Sequence, residues 1–231
     1  MTDKTNARLA GFTFLFYIAT GIASMVLSGQ ATKGAEGTAA KLASIAQHAP
    51  LVRLNIVLTL LTFVIAVVLA VALYALTRDQ DRDLATMALC CRVTEGVIAA
   101  ISTVRLLGVL SIATAAAGAA AADAAAANAL AALLLKMGGW TGLIAATCFA
   151  VGSTLYSYLF LRARSIPVAL AWLGVFASIL LVVLLPAQLA GFLTGAVTNF
   201  MWLPMLVFEV WLALWLLIKG VRPSNSRPVL I

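Results

Sequence analysis

Four charged side chains lie inside apolar runs, where charge is costly. The stretch CRVTEGVIAAISTVR, residues 91 to 105, carries Arg92, Glu95 and Arg105, and Glu209 lies in the last apolar run. A charge at the centre of a membrane span costs about 2.5–3.5 kcal/mol on insertion scales, so such groups usually face a bundle interior and pair. Because Arg92 and Glu95 are three residues apart, they share one face of a helix. Such a group could bind a small ligand, exchange a proton or fix helix packing.

The composition indicates that the elements carrying these charges are membrane spans. Of the 231 residues, 64% are hydrophobic and only 10% are charged, whereas soluble domains are roughly 45–50% apolar and about 25% charged. A span needs about 20 residues to cross the hydrocarbon. We therefore expect residues 1–231 to form a single transmembrane domain of the all-α class, an integral membrane bundle of six helices. The predicted spans are residues 9–28, 54–76, 84–113, 138–161, 168–193 and 199–217.

Two segments between these spans also have helical character. Residues 36–47 predict a short surface helix that ends before Pro50. Residues 115–136 are rich in alanine, which favours a helix but adds little insertion energy. We expect an interfacial or loop helix there rather than a seventh span, since Asp123 would be costly at the bilayer centre.

The lysines and arginines predict the orientation. With the N-terminus inside, nine of them fall on the cytoplasmic side and four outside, and cytoplasmic loops are the ones enriched in these residues. Both termini are therefore expected in the cytoplasm and the chain in the inner membrane, with the lipid bilayer, not nucleic acid, as its partner. The nine are Lys4, Arg8, Arg78, Arg82, Arg162, Arg164, Lys219, Arg222 and Arg227, and the four are Lys33, Lys41, Arg53 and Lys136.

The charges of the third and sixth spans are predicted to lie at one depth. At about 1.5 Å per residue, Arg92, Glu95 and Glu209 fall roughly 12, 16 and 15 Å from the cytoplasmic edge. We therefore predict a cluster in which Glu95 and Glu209 hold Arg92 between the third and sixth spans. Arg105 is expected near the outer end, where its long stem can reach the interface. Further polar residues that could line such a site are Asn55, Thr94, Ser102 and Asn199.

The chain offers little for metal or hydrolytic chemistry. His48 is the only histidine, which excludes a multi-histidine metal site. Its place in the predicted outer loop also excludes a Ser/His/Asp triad within the spans, and we interpret it as a surface loop residue. Cys90, Cys91 and Cys148 lack C-x-x-C spacing and are expected to be small buried residues. Residues 79–83, DQDRD, could offer oxygens to a divalent cation, but the interleaved arginines favour a solvated turn. No catalytic residue, metal or cofactor is expected.

Two glycine pairs have the four-residue spacing that allows helices to approach closely. They are Gly138/Gly142 and Gly191/Gly195. Because six helices already need neighbours, we expect both pairs to be internal packing sites rather than a dimer face.

Several motifs, in their order along the chain, resemble one family. They are the R-x-x-G of residues 8–11, LYAL with its charged turn at 73–83, CRVTE at 91–95, YSYLFLRARSIP at 156–167 and FEVWLALWLLIKGV at 208–221. Together they resemble the bacterial membrane family called domain of unknown function 4386. This resemblance implies a six-helix integral membrane protein with no assigned activity.

Three classes of function are compatible with these residues. A transporter-like or sensor-like protein would use the charged cluster for a small-molecule ligand or a proton, and a water-filled cavity reaching Glu209 would indicate it. A structural or partner-binding membrane subunit would use the cluster as a clamp, and a dry cluster with an exposed apolar patch would indicate it. An intramembrane enzyme is the least favoured, because one carboxylate pair without a nucleophile supports little acid/base chemistry.

The charge asymmetry makes the orientation testable. Reporter fusions after Arg82, Arg164 and Arg222 should report the cytoplasm, and fusions near Gly37 and Ala127 should report the outside. An outside signal at Arg164 would contradict this topology.

Overall fold

The protein is a bundle of long helices. The computed structural model describes residues 2–116 and 121–221, which form eight helices and no strand. They are α1 (Asp3–Ala31), α2 (Gly37–Gln47), α3 (Ala49–Thr77), α4 (Arg82–Ala116), α5 (Ala121–Ala163), α6 (Val168–Leu189), α7 (Val197–Phe200) and α8 (Leu203–Ile218). With α7 and α8 taken together, this part of the chain contains six segments long and apolar enough to cross a membrane. The predicted six-span, all-α class is confirmed.

The six spans form a closed ring. Each packs mainly on its neighbours in the order α1, α3, α4, α5, α6, α8 and back to α1. The beginning of α1 and the end of α8 lie at the same end of the bundle, since a Cβ added at Gly220 would lie 3.8 Å from the Cβ of Ala7. The turn after α3 and the end of α5 also meet there, where Asp81 and Arg162 form an ion pair of 3.3 Å. Side chains that point into this ring are therefore enclosed by helices on all sides.

Two separate hydrophobic cores hold the ring together. The main core fills its interior and contains Phe14, Leu69 and Phe160. The second lies where α2 covers the end of the bundle, and it includes Ile45 of α2 and Val109 of α4. Large apolar side chains are also exposed on the outside of the spans, as expected of surfaces that face lipid.

The alanine-rich segment is not a separate helix. Its described part, from residue 121 onward, is the beginning of α5, and residues 117–120 lie outside the described residues. The predicted fourth span, residues 138–161, is therefore the second half of a longer helix. Helix formation is cooperative. The helix therefore continues through Gly138 and Gly139, because alanines and leucines precede them and an apolar span follows them. At 1.5 Å per residue, α5 is about 64 Å long, twice what the hydrocarbon requires.

Prolines and glycines set the remaining boundaries. Pro50 does not end α2 but lies in the first turn of α3, and Pro204 does the same in α8, where a missing N–H costs nothing. The predicted fifth span is four residues too long, because α6 ends at Leu189. Gly191 and Gly195 follow it with φ of 83° and 79°, so this pair forms turns and the packing role predicted for it is wrong.

The close helix approaches use other glycines. A Cβ at Gly142 would meet nothing within 4 Å, so no neighbour packs there. At Gly11, by contrast, it would lie 2.6 Å from the backbone nitrogen of Leu217, which brings α1 and α8 together at the end of the ring. Gly138 and Gly152 of α5 each face an arginine of α4, as described below.

Candidate functional site

Arg92 lies in the interior of the ring and is the largest fully buried side chain, only 1% exposed. A Cβ at Gly152 of α5 would lie 3.0 Å from the Cγ of Arg92, so this glycine leaves room for the stem of the arginine. The guanidinium carbon lies 4.6 Å from the ring centre of Phe149 and 5.4 Å from that of Tyr17. Such contacts between a cation and an aromatic face stabilise the buried charge.

Glu95 supplies the opposite charge from the next turn of α4. Its Oε2 lies 2.7 Å from Nη1 of Arg92, and its Oε1 accepts a hydrogen bond of 2.6 Å from the hydroxyl of Tyr17. Hydrogen bonds to a carboxylate are among the stronger ones in proteins. Both carboxylate oxygens are thus engaged, and Tyr17 connects α1 to α4 across the interior.

The guanidinium of Arg92 is incompletely hydrogen-bonded. Its contact with Glu95 is short but not aligned as a hydrogen bond, and none of its three nitrogens has a hydrogen-bond partner among residues 2–116 and 121–221. A crevice of about 10 Å³ lies beside it, lined by Ser153, Tyr156 and Ser157. The hydroxyl of Ser157 is likewise without a partner in the described chain. A crevice of this size holds about one water molecule, so the cluster is nearly dry.

Glu209 of α8 is buried in the same interior, but the expected ion pair with Arg92 does not form. No ion-pair contact of Glu209 exists within the described chain, and its Oε1 has no hydrogen-bond partner there. α8 packs on α1 and α6 rather than on α4, and no ion pair joins Glu209 to Arg92 across the interior. Glu209 is therefore a buried carboxyl group with no cation of the described chain in contact with it.

Tyr17 is the member of the cluster that sequence reasoning missed. Tyrosines in membrane proteins usually settle at span ends, at the level of the lipid headgroups. Tyr17 instead lies in the middle of the first predicted span, and a phenol hydroxyl in an apolar interior needs a hydrogen-bond partner. This position is the signal that could have identified it.

The other polar residues predicted to line the site lie elsewhere. Thr94 and Asn199 are exposed, and Ser102 donates a hydrogen bond to the carbonyl of Ile98 on its own helix. Asn55 accepts a hydrogen bond from Ser24 and donates one to Ser28, both on α1. None of these four residues lines the crevice beside Arg92.

The remaining candidates for chemistry are the histidine, the three cysteines and the charged turn. His48 is exposed, as expected. The predicted burial of the cysteines is wrong: Cys90 is exposed, and Cys91 and Cys148 are half-buried and free. Since Arg92 points into the ring, the residues one and two positions before it fall on other faces of α4. In the charged turn, Asp81 accepts a hydrogen bond from the backbone N–H at the start of α4 in addition to its ion pair at the same end.

The fold and the cluster define a multi-pass helical membrane protein with an ion pair enclosed by its spans. The chain belongs to the family described as Domain of unknown function (DUF4386), whose model matches residues 9–220. This confirms the resemblance of the motifs. No curated protein and no solved structure matches the chain. The family carries no assigned activity, so function must be argued from the geometry.

The hydrogen bond from Tyr17 to Glu95 is directly testable. Tyr17→Phe leaves a buried carboxylate oxygen without its donor, so we expect a loss of about 1–3 kcal/mol in the free energy of unfolding. Tyr158→Phe is the matched control, because Tyr158 is 44% exposed on the outside of α5, and it should change stability by less than about 0.5 kcal/mol. Denaturant unfolding in detergent measures both variants, and equal losses would contradict the assigned hydrogen bond.

Proposed function

We propose that the protein is a transporter-like or sensor-like protein of the inner membrane, with both termini in the cytoplasm, and that its interior cluster exchanges a proton. The nine-to-four distribution of lysines and arginines supports the orientation. The observation that carries the proposal is that one cation and two carboxyl groups are enclosed by the ring of spans. These groups belong to Arg92, Glu95 and Glu209.

The cluster contains one carboxyl group more than it has cations. Arginine stays charged in proteins, and Glu95 is the carboxylate in contact with Arg92. Glu209 has an oxygen without a hydrogen-bond partner in the described chain, and an ionised carboxylate in such surroundings is costly. A proton on Glu209 makes the whole cluster neutral. Glu209 is also the carboxyl group that exchanges its proton most easily, because no hydrogen bond within the described chain holds its Oε1.

The size of the crevice favours a proton over a larger cargo. Its volume of about 10 Å³ beside Arg92 admits about one water molecule. A small-molecule ligand at Arg92 would require the ring to open, whereas a proton needs no more room there than one water molecule. The hydroxyl of Ser157, which lines the same crevice, can hold that water next to Arg92.

A structural or partner-binding role is the second candidate, and two observations favour it. The cluster is nearly dry, as expected of a clamp. Both oxygens of Glu95 are engaged, one by Arg92 and one by Tyr17, so the cluster connects α1 to α4. A clamp of this kind needs no proton exchange. An enzyme has the least support, since two carboxyl groups without a histidine beside them support little acid/base chemistry.

Infrared difference spectroscopy on the full chain in liposomes separates the first two candidates. After a pH step, the wild type should show a changing C=O band of a protonated carboxyl group, and Glu209→Gln should lose it. Glu36→Gln is the control, because Glu36 is an exposed carboxylate outside the cluster, and it should keep the band. If the folded wild type shows no such band, the cluster does not exchange a proton, and the clamp is its function.

A further inference from the structure

A second cavity lies at the α2 end of the bundle, and Arg105 of α4 lies in its wall. Its volume is about 240 Å³, and five helices, α1 to α5, contribute to its walls. Arg105 lies thirteen positions after Arg92 on α4, about 20 Å along the helix. The cavity is therefore distinct from the interior cluster. It reaches the surface of the bundle, since Ser28 in its wall is exposed.

Arg105 is held in a fixed position against α5. Its Nη1 donates a hydrogen bond of 3.1 Å to the carbonyl oxygen of Leu134. A Cβ at Gly138 would lie 2.5 Å from the guanidinium carbon, so only a glycine there lets the guanidinium lie against the helix. The arginine therefore does not extend freely to the interface, and its head group is held in the cavity wall.

No acidic side chain balances the charge of Arg105. None of the eight acidic residues, all of which lie in the described part of the chain, forms an ion pair with it. Its Nε is buried and has no hydrogen-bond partner among the described residues. Arginine presents several N–H donors in a planar fork that matches carboxylate and phosphate oxygens. The geometry therefore leaves donors in the cavity for an anion.

Further polar groups stand beside the arginine, and the rest of the wall is apolar. Asn55 uses one N–H of its amide to bind Ser28 and has a second one. The remaining lining includes Leu27, Val52 and Leu106. A few polar groups in an otherwise apolar concave wall are typical of small-molecule sites. The combination suits a molecule with an anionic head and an apolar body.

We propose that this cavity binds an anionic head group, a carboxylate or a phosphate, that is attached to an apolar chain. Arg105 neutralises the head group, Asn55 and Ser28 donate hydrogen bonds to it, and the leucine and valine side chains cover the start of the apolar chain. The ligand can be a soluble amphiphilic anion or the head group of a membrane lipid, since both present the same chemistry to the site.

Binding of octanoate to the full chain, purified in a neutral detergent, tests the soluble source. Octanoate should raise the melting temperature of the wild type, whereas 1-octanol, which lacks the charge, should not. Arg105→Gln should weaken octanoate binding about tenfold to a hundredfold, the value of a charged hydrogen-bonded contact. Arg53→Gln is the matched control, because Arg53 is an exposed cation of α3 that does not line the cavity, and it should bind octanoate like the wild type.

Native mass spectrometry after purification from nanodiscs tests the lipid source. If octanoate does not bind, the wild type should retain phosphatidylglycerol in preference to phosphatidylcholine, and Arg105→Gln should not. The proposal is overturned if neither probe distinguishes the wild type from Arg105→Gln. Should that variant not fold, Ser28→Leu decides, because it fills the mouth of the cavity from an exposed position, and unchanged binding there overturns the proposal. Neither experiment depends on proton exchange at Glu209.

Discussion

The structure depends on neutralising one guanidinium inside the ring of spans. An isolated charge in an apolar interior costs far more than most packing interactions can repay, unless an opposite charge and hydrogen bonds accompany it. Arg92 obtains the opposite charge from Glu95 on its own helix, and Glu95 accepts a hydrogen bond from Tyr17 of α1. Gly152 of α5 provides the space for the arginine stem. Three of the six spans are therefore positioned by the requirements of a single side chain.

The same arrangement occurs twice along the α4–α5 interface. Arg92 lies against Gly152 and Arg105 against Gly138, so two glycines of α5 receive two arginines of the antiparallel α4. The environments nevertheless differ. Arg92 has a carboxylate partner in a closed core with room for about one water, whereas Arg105 has no acidic partner in the described chain and faces a cavity of about 240 Å³. The first arrangement suits a proton or a clamp, and the second suits an anion.

The sequence predicts what depends on local pattern. Hydropathy identifies the six spans, and the i, i+3 spacing places Arg92 beside Glu95. It does not reveal which side chains meet across the interior of the ring, so it pairs Arg92 with Glu209 and overlooks Tyr17. Tyr17 reaches Glu95 from α1, although α1 packs on α3 and α8. The four-residue spacing of glycines is equally ambiguous when the backbone conformation is unknown. Gly138 leaves room for the guanidinium of Arg105, while Gly191 makes a turn with positive φ. The apolar residues on both sides of Gly138 and Gly139 also keep α5 helical at a point where the sequence predicts a boundary.

A double-mutant cycle on Arg92 and Glu95 tests the central claim most directly. Removing one partner of a buried ion pair leaves an uncompensated charge and typically costs about 3–5 kcal/mol, whereas replacing both by apolar residues can be nearly neutral. Arg92→Leu and Glu95→Leu should each lower the free energy of unfolding in detergent, and the double variant should lose much less than the sum of the two. Additive losses would mean that the two side chains do not stabilise each other, and the account of the ring interior would be wrong.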